Sequence, residues 1–140
     1  MSRVTQMPEV DYSGSSFIEA IDRRIGFKEN GKILVLDPED VIGVQAQGNY
    51  VQILHRSSKS HIFRASISLV AEHLKAFGFV RIHRSAIVNG WLVEELRPKP
   101  TGKYIVRMKG GREFVVARNY RRNLRLLAGS WLGTDPFPSD

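Results

Sequence analysis

A chain of 140 residues, 42% hydrophobic and 25% charged, is long enough for one domain with a packed core and too short for two comfortable ones. No stretch approaches the roughly 18 consecutive apolar residues of a membrane-spanning helix, and the opening "MSRVTQMPEVDYSGSS" lacks the apolar centre of a signal peptide. Zero cysteines leave no disulfide framework and no thiolate chemistry, so a cytoplasmic protein without a membrane partner is expected.

In chain order, residues 1–22 have the composition of a flexible tail or linker, with Pro8 and the "SGSS" at 13–16. "RRIGFKENGKILVLD" predicts a hairpin turning at Asn30–Gly31, with Ile25 and Phe27 facing Ile33–Leu36, and Pro38 stops its second strand. "DVIGVQAQGNYVQILHR" is one strand, or two broken at Gly48–Asn49; "SSKS" turns and "HIFRAS" returns. Ser66 is a candidate N-cap for a helix that repeats Ile67, Val70, Ala71 and Leu74 on one face and stops at Gly78. "RIHRSAIVNG" and "WLVEELRP" are strand-like. "KYIVRMKGGREFVVA" is the strongest hairpin, turning at Gly110–Gly111. A short helix over roughly 119–128 would face Leu124, Leu127 and Ala128 inward, and 129–140 has the composition of a disordered tail. The folded part is thus expected over 23–128: mostly β with minor α, small antiparallel sheets with one central helix and a short C-terminal one.

The net charge of +7 is unevenly spread. Residues 1–46 hold 5 basic and 8 acidic groups, residues 47–96 hold 6 and 3, and residues 97–125 hold 10 basic groups against Glu113 alone. A positive block in an otherwise balanced chain is the footprint of a polyanion binder, or of a solvated basic face.

Catalytic patterns are missing. His55, His61, His73 and His83 lie on separate elements without metal-site spacing, and no serine sits in a Gly-x-Ser-x-Gly elbow. "PTGKY" lacks the preceding glycine and following hydroxyl of a phosphate-binding loop. Glu94–Glu95 and Glu39–Asp40 are adjacent, which on a strand sends their carboxylates to opposite faces. No enzyme, cofactor or metal is expected. Helix-turn-helix, zinc and zipper patterns are absent too, so nucleic acid would have to be met by loops between strands.

Three loops suit that task. In "QGNY", Asn49 presents an amide able to pair with adenine, or is simply a turn residue; Tyr50 follows it. In "HRS", Arg84 suits guanine or phosphate, His83 is better suited to a buried strut, and Ser85 either caps the next turn or bonds a phosphate. In "VARNY", Arg118 leaves a strand for the first turn of a helix, where free backbone N–H groups favour an anion; a surface salt bridge is the alternative. Arg81, Lys103, Lys109, Asn119, Arg121 and Arg122 are further candidate phosphate contacts. Most aromatics fall in core-like alternation, against stacking on single strands, but Tyr50 and Trp91 fit no such alternation.

"QAQGNYVQIL", "FVRIHRSAIVN" and "GREFVVARNY", in this order and separation, resemble the LytTR-type DNA-binding domain of bacterial transcriptional regulators over about residues 23–127. The resemblance implies an elongated array of small β-sheets whose loops enter successive grooves of double-stranded DNA. It also implies contacts from Asn49, Arg84 and Arg118, a mainly structural Asn89 bonding neighbouring backbone, and two molecules on repeated half-sites. Such domains usually follow a phosphorylatable receiver domain. Residues 1–22 cannot hold one, so a stand-alone regulator, or a fragment whose receiver or sensor partner lies elsewhere, is expected. "QAQGN" replaces an acidic residue common there in relatives. The rival from another class is a protein-interaction module whose basic face docks an acidic partner.

Overall fold

The computed structural model describes residues 17–21, 23–57 and 59–124. The tail expected at 129–140, and Arg125, Leu127 and Ala128 of the expected C-terminal helix, lie outside the described residues.

Three antiparallel sheets follow one another. The first joins β1 (Phe17–Ile21), β2 (Arg24–Glu29) and β3 (Lys32–Leu36). The β2–β3 turn puts Asn30 at φ +55° and Gly31 at φ +78°, the left-handed pair of a type I′ hairpin, and fixes the register Ile25↔Leu36 and Phe27↔Leu34. Strand β1 is a correction: it lies inside the segment expected to be a tail. Its turn to β2 uses Arg23 at φ +68°, a conformation usually left to Gly or Asn, so no turn signal announces it.

The central sheet runs β6-β5-β4-β8-β7, from β4 (Val41–Gln47), β5 (Tyr50–His55), β6 (Ser60–Arg64), β7 (Phe79–His83) and β8 (Ala86–Asn89). "DVIGVQAQGNYVQILHR" is therefore two strands, turned at Gly48 (φ +62°) and Asn49. The helix α1 (Ile67–Leu74) bridges β6 and β7 and buries Val70 and Leu74; the Ser66 hydroxyl accepts from the Leu69 N–H at 3.4 Å, and Gly78 at φ +88° ends the following 3₁₀ turn. The third sheet orders β11-β10-β9, from β9 (Val93–Pro98), β10 (Tyr104–Met108) and β11 (Glu113–Val116), with the β10–β11 turn at Gly110 and Gly111, both at positive φ.

The central sheet is covered on both faces. One face packs Val44, Val51, Ile53 and Ile87 against Ile25, Phe27 and the helix; the other packs Leu54, Ile82, Ala86 and Val88 against Tyr104, Val106, Met108 and Val116. That double cover explains "AIV" at 86–88, an unbroken apolar run on a strand buried front and back. Each buried Val, Leu or Ile side chain contributes roughly 1.5–3 kcal/mol on burial. Strand β4 presses so closely on β8 that a Cβ at Gly43 would lie 2.4 Å from the Ile87 carbonyl oxygen.

Asn89 is structural, but by longer reach than expected. Its Nδ2 donates to the carbonyls of Pro38 (2.9 Å) and Val41 (3.0 Å), while its Oδ1 accepts from the Trp91 N–H at 3.0 Å. It thereby seals the start of β4 to the end of β8. After β11 the chain enters a 3₁₀ turn (Arg118–Tyr120) and then a helical stretch at 121–124, where Leu124 is fully buried.

Candidate nucleic-acid interface

Strand direction brings the three expected loops to one edge. The β4–β5 turn holds Asn49, and the β7–β8 turn holds Arg84. They are neighbours because β4 pairs with β8 and the Ala46 N–H donates to the Ser85 carbonyl at 2.9 Å. The third loop is tied on by the Ala117 N–H donating to the Ile82 carbonyl at 2.9 Å, which leaves Arg118 beside the end of β7.

Asn49, Arg84 and Arg118 are all exposed, and none of their side chains bonds another described residue. The Asn49 backbone is fixed through its carbonyl, which accepts from the Ala65 N–H at 3.2 Å. Tyr50 beside it is 46% exposed. The Arg118 stem lies over Gly102, where a Cβ would come within 3.2 Å of its Cδ. Arg121 reaches the Gly102 carbonyl at 3.4 Å, and Lys103, Asn119 and Arg122 are exposed on the same loop cluster. The turn that starts at Arg118 is three residues of 3₁₀ helix with no side-chain cap, leading into the helical stretch at 121–124.

His83 and Ser85 stiffen the Arg84 turn. His83 Nδ1 accepts from the Ser85 N–H at 3.1 Å and lies 2.9 Å from the Ser85 hydroxyl; the imidazole is half-buried rather than buried. The Ser85 hydroxyl therefore already has a partner inside the turn.

Arg81 is engaged throughout. Its Nε donates to the His83 carbonyl (3.2 Å), Nη2 to the Arg84 carbonyl (2.5 Å) and Nη1 to the Ser68 hydroxyl (3.0 Å). Its guanidinium lies 5.5 Å from the centre of the Tyr120 ring, and its own carbonyl accepts from Asn123 Nδ2 at 3.0 Å. One side chain thus clamps the Arg84 turn to the helix and to the Arg118 segment. Sequence inspection missed Ser68, Tyr120 and Asn123 because all three act only through this clamp. It also passed over Arg64, which pairs with Tyr50 across β6 and β5 at the same edge.

The basic block at 97–125 is not one patch. Arg97 pairs with Glu113 (2.6 Å) and Glu95 (3.4 Å), and Arg107 contacts Glu94 (3.7 Å) and Glu95 (3.6 Å). Both glutamates reach Arg107, against the expectation of opposite faces, because the β9–β10 register shifts between Arg107 and Met108. Lys109 and Arg112 sit at the β10–β11 tip, the far end of that hairpin from Arg118. Strand β10 alone separates the two ends by about 14 Å. Trp91, 73% exposed, lies away from the edge, its indole against Gly78, where a Cβ would meet Nε1 at 2.4 Å. Among the described residues no helix is long and apolar enough to cross a membrane, and no group of three or more His, Asp or Glu could hold a metal.

The chain is 29% identical over 97 residues to the sensory transduction protein LytT of Bacillus subtilis (strain 168), a match covering 68% of the chain and 39% of that relative's length. Its fold matches a solved domain described as the LytTr DNA-binding domain of a methyl-accepting/DNA response regulator from Bacillus cereus, with a TM-score of 0.65 at 19% identity, over 77% of this chain and 98% of that one. The family model of the LytTr DNA-binding domain matches residues 31–129, and the chain belongs to that family of DNA-binding domains.

Proposed function

We propose that this chain binds duplex DNA sequence-specifically, with Asn49, Arg84 and Arg118 meeting base edges or the phosphates beside them from three adjacent loops. The observation that carries this is their shared edge: three exposed side chains with no bonds to described residues, on turns fixed by backbone hydrogen bonds. Arginine matches guanine O6/N7 or phosphate bidentately, and an amide matches adenine N6/N7. Tyr50, Lys103, Asn119, Arg121 and Arg122 flank them and supply phosphate contacts that set register without reading sequence, while the Ser85 hydroxyl braces the Arg84 turn through His83. Arg81 holds the Arg84 turn in place, and Lys109 belongs to the other end of the molecule.

The domain acts as a transcriptional regulator in the cytoplasm, two molecules occupying repeated half-sites. A receiver or sensor partner supplies the signal, in keeping with a matched relative named for sensory transduction and much longer than the matched region. Selection of bound duplexes from a random pool, repeated with Arg84→Ala and Arg118→Ala, tests the proposal. The wild type should return a motif that each variant relaxes at different positions. A module for docking an acidic protein would return no motif and leave duplex DNA unshifted at low salt.

A further inference from the structure

At the end of the molecule away from the DNA edge, the β5–β6 turn and the tip of the β10–β11 hairpin enclose a cleft of about 340 Å³. Five basic side chains line it, His55, Arg56, Lys59, Lys109 and Arg112, and no carboxylate does. Among the described residues none of these arginines and lysines forms an ion pair. By contrast Arg97 and Arg107, on the strands just behind the tip, are neutralised by Glu94, Glu95 and Glu113. Charge is balanced around the cleft and left unbalanced inside it.

The loops that carry these cations are held by backbone bonds. The His55 N–H donates to the Lys59 carbonyl (3.2 Å) and the Arg56 N–H to the Asp40 carbonyl (2.8 Å). At the tip, the Met108 N–H donates to the Arg112 carbonyl (2.8 Å), and the Lys109 N–H donates to the Leu92 carbonyl (2.7 Å). Like charges are therefore gathered on fixed backbone, at an electrostatic cost that a bound anion would reverse. His61, next to this group, is held below its ordinary imidazole value by burial first and then by the charges of His55 and Lys59.

We propose that this cleft binds a small phosphorylated molecule, independently of the DNA edge. The Arg112 guanidinium offers a fork that matches phosphate oxygens, Arg56, whose Nη1 donates to the Glu39 carbonyl at 3.4 Å, offers its remaining donors, and two ammoniums add point charges. Ile42 and Leu54 line the same cleft and give an apolar surface for the organic part of such a ligand. The volume falls in the range of small-ligand sites, roughly 300–1,000 Å³. A concave site with an apolar wall favours a small anion over a flat acidic protein face. DNA engaged by Arg84 and Arg118 lies beyond reach, since β5 alone puts about 17 Å between Tyr50 and His55.

The test titrates inorganic pyrophosphate into the intact chain without DNA, at constant ionic strength, with backbone amide shifts recorded. Saturable one-to-one binding is expected, with shifts centred on 55–60 and 108–112. Lys59→Ala/Arg112→Ala should weaken it at least about ten-fold by removing two charge-assisted partners. Arg84→Ala/Arg118→Ala should leave it within about two-fold, because those residues lie beyond the reach of a small ligand in the cleft. A response that never saturates would overturn the proposal. So would loss of binding in Arg84→Ala/Arg118→Ala, which assigns the anion to the DNA edge, or capture of poly-glutamate but not pyrophosphate by the same cations. DNA affinity of Lys59→Ala/Arg112→Ala, expected to stay near wild type, reports its folding. Failure of DNA binding in the wild type would sink the DNA proposal and leave the pyrophosphate result standing.

Discussion

Arg81 and Arg84 stand three residues apart with the same side chain and do different work. Arg84 projects from a turn with no side-chain partner among the described residues, whereas all three nitrogens of Arg81 donate inward. Arg84→Ala should cost on the order of 1–3 kcal/mol, concentrated at one base position. Arg81→Lys keeps the charge but loses the fork, so specific affinity should fall while the salt dependence of binding is unchanged. If Arg81 instead neutralises a phosphate, Arg81→Lys should be near neutral and Arg81→Ala should flatten the log–log salt slope by about 0.9. Sequence shows a charge but not the carbonyls that absorb it, so the two arginines look alike until the His83 and Arg84 carbonyls are seen to accept from Arg81. His61 adds a pH effect. Because the folded state holds the His61 imidazole below its ordinary value near 6.5, the unfolded chain binds more protons as pH falls past that value. The His61 contribution to stability is therefore intact above that window and lost below it. The denaturation midpoint of wild type should fall relative to that of His61→Gln as pH drops through that window, and a gap independent of pH would refute the assignment.

Hairpins with left-handed turn residues, Asn30–Gly31 and Gly110–Gly111, were legible because turn chemistry and two-residue alternation agree there. Strand β1 was not, since Arg23 fills its left-handed position, and the bulge that turns both Glu94 and Glu95 to Arg107 leaves no mark in composition. The β7–β8 hairpin shows how an element serves a site. Ala86, Ile87 and Val88 sink into two cores, and Asn89 locks the strand to the start of β4, so the Arg84 turn is anchored on a strand that cannot tilt. Asn89→Ala should destabilise by on the order of 3 kcal/mol, because one buried carbonyl, one part-buried carbonyl and one N–H lose their partner. Chemical denaturation reads this directly. A loss under about 0.5 kcal/mol, the level of an ordinary surface change, would mean that the lock is not needed.

Across the whole molecule, charge counted along the chain misleads. The block at 97–125 divides into a neutralised pair on the third sheet, a cluster at the DNA edge and a cluster at the distant cleft. On the reading proposed above, only the middle group, with Arg84, meets DNA. Lys109→Ala should accordingly leave DNA affinity nearly unchanged, although it removes a charge from the most basic stretch of sequence; a loss like that of Arg122→Ala would bring the tip back to the interface. The overall plan and the three loops were legible because their motifs keep order and spacing, while their convergence on one edge depends on β4–β8 pairing, which separation in sequence conceals. The central claim is that the loops read together. The decisive measurement is the affinity ratio between a selected duplex and a random one at fixed salt, for wild type, Arg84→Ala, Arg118→Ala and Lys109→Ala. A wild-type ratio of about 10³ or more is expected, falling about ten-fold or more in each edge variant and holding in Lys109→Ala. A wild-type ratio near one, or equal losses in all three variants, would contradict the account.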